Sequence, residues 1–145
     1  MALAYTYNVL ENGPRDFIFA AIGTDAATTV AFTSETAITG IIAAAVTAAS
    51  TTYTPSVHNK VKRIIYNTTN CAIRLQWHQT TNAELITLSG YGDWNSKDCQ
   101  GLFGPNGTGA TGDIDSVTIP IAAVTAGSGI ITAAASLQIY LVKGV

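Results

Sequence analysis

Charged residues are unusually few in this 145-residue sequence. Asp, Glu, Lys and Arg together make up 11% of the residues, against roughly a quarter in an ordinary soluble domain. With a net charge of −2, the chain lacks the basic surface that binds nucleic-acid phosphates. The one basic cluster, Lys60, Lys62 and Arg63, is short and interrupted by Val61, so we interpret it as the solvent face of a strand. We expect no nucleic-acid partner.

Long apolar runs are also missing. A membrane helix needs about 20 apolar residues, and the longest weakly polar stretch, residues 37–50, is rich in Ala and Thr. Residues 1–7 place no basic segment before an apolar one, which predicts no secretion signal. We therefore expect no membrane partner and synthesis in a cytoplasm, and the length predicts a single domain over residues 1–145.

The two cysteines, Cys71 and Cys99, form no CxxC pair, and His58 and His78 do not stand at zinc-ligand spacing. The sequence therefore predicts no metal site and no cofactor. A disulfide would require strands that bring the two cysteines together. Buried free thiols are the favoured state for a protein made in a cytoplasm.

Residue sets for catalysis are absent as well. A Ser or Cys nucleophile needs a His base and an orienting acid, but both histidines fall on strand faces that we expect to be exposed. Asp113 and Asp115 resemble part of a calcium loop without its further carboxylates. Asp113 is more simply a residue that hydrogen-bonds its own backbone at the end of a loop. We predict no catalytic residues and no enzyme.

The sequence does contain apolar–polar alternation with a period of two, which is typical of half-buried strands. In residues 71–79, Ile73, Leu75 and Trp77 fall on one face. Residues 137–142 repeat the pattern. The same criteria predict further strands at residues 4–10, 16–23, 29–33, 61–66, 83–88 and 115–121.

Turn residues separate these strands. Glu11-Asn12-Gly13-Pro14 predicts a turn between the first two strands. Residues 67–70 read Asn-Thr-Thr-Asn and predict the turn of a hairpin over residues 60–79. Residues 38–52 are undecided, because their alanines favour a helix while Gly40 and the missing caps oppose it. Gly127-Ser128-Gly129 favours a hairpin tip.

Residues 89–113 contain seven glycines and predict a long Gly-rich loop. Four large side chains lie on it: Tyr91, Trp94, Leu102 and Phe103. They pack either on the domain itself or on a partner, and both alternatives remain open. Because aromatic residues often anchor interfaces, these four are our candidate interface residues.

Together these features predict an all-β fold: a single β-sandwich, jelly-roll-like, with a long Gly-rich loop. Crossover helices of the kind that parallel strands require are not evident. Protein interfaces are depleted of Lys, Glu and Asp, and this charge-poor surface shares that depletion. The composition therefore favours a domain that assembles with copies of itself or with a larger partner.

Three segments carry a resemblance to a known family: residues 77–82 (WHQTTN), 88–94 (LSGYGDW) and 109–114 (GATGDI). They resemble small virion proteins of tailed bacteriophages that act as capsid decoration or cement proteins. The resemblance runs from about residue 60 to the end of the chain, and the segment Tyr5-Thr6-Tyr7 near the start is compatible with it.

The resemblance implies a jelly-roll-like domain that binds the outer capsid surface as a dimer or trimer. Its partner would be the major capsid protein, and it would clamp neighbouring capsomers in the virion. Two other functions remain open. One is a carbohydrate-binding module in which Trp94, Tyr91 and Trp77 stack on sugars, although Trp77 is better explained as core. The other is a component of the tail or of the head–tail junction.

Overall fold

The computed structural model describes residues 3–25, 36–96, 104–121 and 133–144. These residues form seven strands and one helix: β1 (Leu3–Asn12), β2 (Asp16–Asp25), β3 (Thr36–Ile38), α1 (Ile41–Ala49), β4 (Lys60–Trp77), β5 (Ala83–Asn95), β6 (Ile114–Pro120) and β7 (Ala134–Val142). Every strand pairing among them is antiparallel. The all-β prediction is therefore confirmed.

Strand β4 is the centre of the sheet. The first half of β4 pairs with β7 and the second half with β6, while β5 pairs with both halves. The strand order is β1-β2-β7-β4-β6-β3, with β5 branching from β4. The sheet thus has two branches that share the β4–β5 pair. The jelly-roll arrangement stays a prediction, because the described strands are joined in one hydrogen-bonded sheet.

The hairpin predicted over residues 60–79 is wrong, because β4 bends at residues 67–70 without reversing. Asn70 has a φ of 58°, a left-handed conformation that Asn tolerates better than most residues. The pairing with β5 shifts register between Asn67 and Ala72. At this bend the Thr68 hydroxyl accepts a hydrogen bond from the Gly90 N–H at 2.7 Å and donates one to the Gly90 carbonyl at 3.2 Å. Polar residues that suit a turn therefore form a bulge here.

The sheet curls until its distant strands meet. Tyr5 on β1 and Thr118 on β6 are hydrogen-bonded through their hydroxyls at 2.9 Å, although β2, β7 and β4 lie between these strands in the sheet. The resulting half-barrel encloses one apolar core to which both branches and α1 contribute. The predicted inward faces are confirmed, since Ile73, Leu75 and Trp77 are buried, as are Leu137, Ile139 and Leu141.

Residues 38–52, for which the sequence favours neither helix nor strand, contain helix α1. Its buried residues are Ile41, Ile42 and Ala45. Gly40 precedes it with a φ of 70°, and the cap is supplied from elsewhere in the chain. The Asp113 side chain accepts hydrogen bonds from the N–H groups of Ile42 and Ala43. Capping by a residue so remote in sequence explains why no local capping motif was found.

The remaining expectations have mixed outcomes. The turn between β1 and β2 is confirmed, with the Gly13 N–H donating to the Asp16 carbonyl at 3.0 Å. Cys71 is buried and its thiol is free. The predicted strand at residues 29–33, the hairpin tip at residues 127–129 and Cys99 lie outside the described residues.

Candidate functional site

The four candidate interface residues do not form one group in the structure. Tyr91 and Trp94 lie on strand β5, which continues to Asn95, so the prediction that both belong to a loop is wrong. Tyr91 is 86% exposed, whereas Trp94 is half-buried and packs against the core. Their odd spacing places them on opposite faces of the strand. Leu102 and Phe103 lie outside the described residues.

The glycines in β5 account for the incorrect prediction of a loop at residues 89–95. A Cβ on Gly92 would lie 2.6 Å from the Tyr66 hydroxyl of β4, so the missing side chain leaves room for the aromatic ring. Gly23 on β2 has the same role, since a Cβ there would lie 2.7 Å from the ring of Tyr5. These glycines permit close aromatic packing across paired strands and do not mark loops.

Tyr91 belongs to a continuous surface of the branch in which β1, β2 and β7 join the first half of β4. Residues directly opposite each other on paired strands point to the same side of a sheet, so the register defines three rows that run across β2, β7, β4 and β5. We call this surface the outer face. Its rows, in that strand order, are Ile22–Ser136–Asn67–Tyr91, Ala20–Gln138–Ile65–Asp93 and Ile18–Tyr140–Arg63–Asn95. Beyond β2 the rows continue onto β1, where Thr6, Asn8 and Glu11 pair with the three β2 residues.

The outer face carries little net charge. Among its twelve residues, the charged side chains are Arg63 and Asp93, and they form a two-pronged pair with Nε–Oδ1 and Nη2–Oδ2 distances of 2.9 and 2.5 Å. This hydrogen-bonded carboxylate raises the pKa of Arg63. The guanidinium carbon also lies 5.4 Å from the centre of the Tyr140 ring. The twelve residues are thus neutral together, and Ile22, which is 57% exposed, lies three strands away from Tyr91 in the same row.

A shallow cleft interrupts one end of this surface. Its volume is about 260 Å³, and Ile18, Tyr140, Arg63 and Asn95 are among its lining residues. The cleft is small beside the 300–1,000 Å³ of most small-molecule sites. The outer face therefore suits contact with another surface better than it suits enclosure of a small ligand.

A second polar cluster surrounds Asp115 at the start of β6. This carboxylate is 5% exposed and accepts hydrogen bonds from Gly40 N at 2.8 Å and from Asn82 Nδ2 at 2.9 Å. His78 Nδ1 lies 2.9 Å from its Oδ2 atom. The His78 side chain is 37% exposed, in keeping with the expectation of a surface residue, but its pairing with a buried carboxylate was not predicted. Asp115 joins three segments: the residue before α1, the residue after β4 and the turn before β5.

The two ionisable neighbours in this cluster respond to their surroundings. The hydrogen bond to Asp115 raises the pKa of His78. Burial raises the pKa of Asp113, although the N–H groups of Ile114, Ala43 and Ile42 partly oppose this effect. Asp113 thus ends the loop before β6 by accepting from the neighbouring Ile114 N–H at 2.9 Å, as expected, and it also caps α1.

The chemistry available to this cluster is limited. A His–Asp pair can orient an imidazole as a general base, but no Ser or Cys side chain is hydrogen-bonded to His78 among the described residues. In that part of the chain, no group of three or more His, Cys, Asp or Glu residues is arranged to hold a metal ion. We therefore interpret the Asp115 cluster as structural.

The geometry defines an all-β domain with one neutral, partly apolar outer face. Comparisons with protein-family models, curated proteins and solved structures give no match. No helix among the described residues is long and apolar enough to cross a bilayer.

Proposed function

We propose that this chain is a non-enzymatic structural protein of a virion that binds the outer capsid surface and cements neighbouring capsomers. The observation that carries the proposal is the outer face, on which Tyr91 is 86% exposed beside an internally neutralised charge pair. A neutral surface with an aromatic anchor matches the cores of protein interfaces, which are depleted of charge and enriched in Tyr. The resemblance to capsid decoration proteins supplies the identity of the assembly.

The cementing mechanism would rest on many weak contacts. A small face gives a modest affinity for one copy. Copies that are linked to each other and to several capsomers gain effective concentration and hold the shell together far more tightly than one contact would. This mechanism needs a rigid surface and no reactive group, which agrees with a face built on paired strands.

The test is binding of the purified protein to expanded capsids assembled from the major capsid protein encoded alongside it. We expect saturable binding and an increase in the temperature at which the capsids break open. Tyr91→Ser should weaken binding at least tenfold. Ile121→Ser is the matched control, because Ile121 is an exposed apolar residue outside the outer face. Absence of binding, together with unchanged heat stability of the capsids, would overturn the proposal.

Two alternatives would give different results. Carbohydrate binding through three stacked aromatic residues is disfavoured, since Trp77 is buried and Trp94 lies on the face opposite Tyr91. A glycan-array signal lost in Tyr91→Ser would nevertheless favour it. A cryo-EM map of the virion in which the chain occupies the tail or the head–tail junction would replace the capsid with that location.

A further inference from the structure

We propose that the capsid subunit supplies an extended chain segment that pairs with strand β5 and continues the sheet beyond it. This inference rests on the proposed function and deepens it, because it names the part of the partner that is recognised. Tyr91, which lies on β5, would then contribute its side chain to the outer face and its main chain to the new strand pairing.

Strand β5 is an edge of the sheet. Strand β4 pairs on one side with β5 and on its other side with β7 and then β6, so the far side of β5 pairs with no described strand. We call that side the far edge. Proteins commonly cover or shorten the edges of their sheets. Of the other two strands that end the described sheet, β1 packs against helix α1 and β3 is only three residues long, whereas β5 has 13 residues.

The backbone groups of β5 alternate between β4 and the far edge. The Ser96 N–H donates to the Lys62 carbonyl of β4 at 3.0 Å, so every second residue before Ser96 also directs its N–H and C=O groups to β4. Gly90 follows this pattern, because both its groups are hydrogen-bonded to the Thr68 hydroxyl of β4. The residues between them direct their N–H and C=O groups to the far edge, among them Tyr91 and Asn95.

The far edge from Tyr91 to Asn95 has the geometry that strand addition requires. Its register with β4 is unbroken, and these five residues include no Pro or Lys, the residues that often prevent pairing at an edge. The outward backbone groups repeat about every 6.8 Å, which is also the repeat of the main chain in another strand. This edge is therefore suited to an extended peptide and not to a helix or a sugar.

The side chains beside the far edge indicate which residues the added strand contains on its core side. Tyr66 and Trp94 are half-buried and pack against the core, and the Tyr66 hydroxyl lies over Gly92 of β5, where a Cβ would be 2.6 Å away. Both aromatic rings thus reach the edge strand. Apolar side chains of an added strand would cover them, because neighbouring residues on one side of paired strands contact each other.

Charge favours a segment of the capsid subunit over strand β5 of a second copy. The charged residues of β5 are Glu84 and Asp93, and the strand contains no Lys or Arg. Two paired β5 strands would therefore combine acidic residues without a base, and like charges on paired strands are destabilising. A segment with Lys or Arg on the side of the outer face is complementary to these acids. The partner segment is thus an extended one in which apolar residues alternate with basic ones.

The first test measures amide hydrogen exchange of the full chain by NMR. In the free chain, the N–H groups of Gly92 and Trp94, which point to β4, should exchange at least about 100-fold more slowly than those of Tyr91 and Asn95. Binding to expanded capsids should slow exchange at Tyr91 and Asn95 at least about tenfold, in a deuterium pulse applied before the chain is released for measurement.

Three results of this test would overturn the inference. Slow exchange at Tyr91 and Asn95 in the free chain would show that the chain itself already covers the far edge. Protection of these amides that increases with protein concentration would assign the far edge to a second copy. Unchanged exchange in the capsid-bound chain would show that the capsid leaves the far edge exposed.

The second test compares proline with alanine at position 95 in binding to the same capsids. Both variants lose the Asn95 side chain, but only proline lacks the N–H that points to the far edge. Proline is tolerated in an edge strand when its nitrogen faces away from the sheet. We expect Asn95→Pro to bind at least about tenfold more weakly than Asn95→Ala, and circular dichroism should show that both variants fold.

The pair Tyr91→Pro and Tyr91→Ser repeats this comparison at the other end of the segment, since both lose the ring and only proline loses the N–H. The inference is overturned if a folded proline variant binds as tightly as its counterpart at the same position. The outer face would then act through side chains alone, and the proposed function would stand as long as Tyr91→Ser still weakens binding. If the wild-type chain does not bind capsids, the proposed function is wrong and the capsid segment is excluded with it.

Discussion

Two ion pairs near opposite ends of β4 use the same chemistry for different purposes. Arg63 and Asp93 pair on the outer face with side chains 37% and 45% exposed, while His78 and Asp115 pair beyond the other end with side chains 37% and 7% exposed. Exposed pairs contribute little because water screens the attraction and two side chains must be ordered. Buried carboxylates are costly unless every acceptor is satisfied. The first pair therefore cancels charge on a surface, and the second joins segments of the fold.

The largest difference that we predict is in the free energy of unfolding when a glycine near the Asp115 cluster, or one near the bend in β4, is replaced. Gly112, near the Asp115 cluster, has a φ of 77°, and a Cβ there would collide with the backbone of Ser56. We expect Gly112→Ala to lower the free energy of unfolding by about 4 kcal/mol, from overpacking together with the left-handed conformation. Urea denaturation followed by circular dichroism measures the loss.

Gly90, beside the bend in β4, is the matched control. Its φ of 82° is similar, but a Cβ there would meet no atom within 4 Å. Gly90→Ala should therefore lower the free energy of unfolding by only about 1 kcal/mol, from the backbone conformation alone. Equal losses in the two variants would show that the Asp115 region is not tightly packed.

The next effect concerns the two carboxylates. Asp115→Ala removes an acceptor that three donors share and leaves the Gly40 N–H without it, so we expect a loss of about 3 kcal/mol in the free energy of unfolding. Asp115→Asn should lose less, because its carbonyl oxygen can still accept from Gly40. Thermal unfolding of Asp93→Ala should match that of the wild type. A loss in Asp93→Ala as large as that in Asp115→Ala would contradict the distinction between the two pairs.

The smallest effect is a dependence on pH. Because Asp115 raises the pKa of His78 above its ordinary value of 6.5, the protonated pair stabilises the fold. This contribution is complete below about pH 6.5 and is lost as pH rises through the raised pKa. The difference in unfolding free energy between the wild type and His78→Gln should fall by less than about 1 kcal/mol from pH 5.5 to pH 8.5, since the imidazole is partly exposed.

The control for the pH effect uses Asp115→Asn as the background. Without this carboxylate only the weaker attraction of Asp113 favours protonated His78, so His78→Gln should then show a much smaller trend between the same two pH values. A trend of undiminished size in this background would assign the pH dependence to a group other than Asp115.

Alternation was a reliable guide wherever one face of a strand meets the core. Ile73, Leu75 and Trp77 were correctly predicted to be buried, and so was the face of β7 that contains Leu137. The turn between β1 and β2 was equally predictable, because the ring of Pro14 restricts the backbone locally while Gly13 adapts to a tight turn. In each case the signal lies within a few neighbouring residues.

The candidate site was only partly predictable. Tyr91 was identified as a large side chain in a glycine-rich segment, but its separation from Trp94 follows from the length of β5. β5 continues through Gly92, over which Tyr66 packs, and the glycine alone does not reveal this contact. The partners of His78 were missed as well, because Asp115 is 37 residues away in the sequence and no local pattern links the two.

The sequence by itself determined the all-β class, the inward faces of β7 and of the second half of β4, and the low content of charged residues. These properties are local or compositional, and each residue contributes to them independently of distant neighbours. Only the tertiary structure decided that β4 continues through its bend, that α1 is a helix capped by Asp113, and that Ile22 and Tyr91 share one row. Those outcomes depend on which segment passes alongside another, because a bulge, a cap or a row of side chains exists only between strands that the fold has brought together.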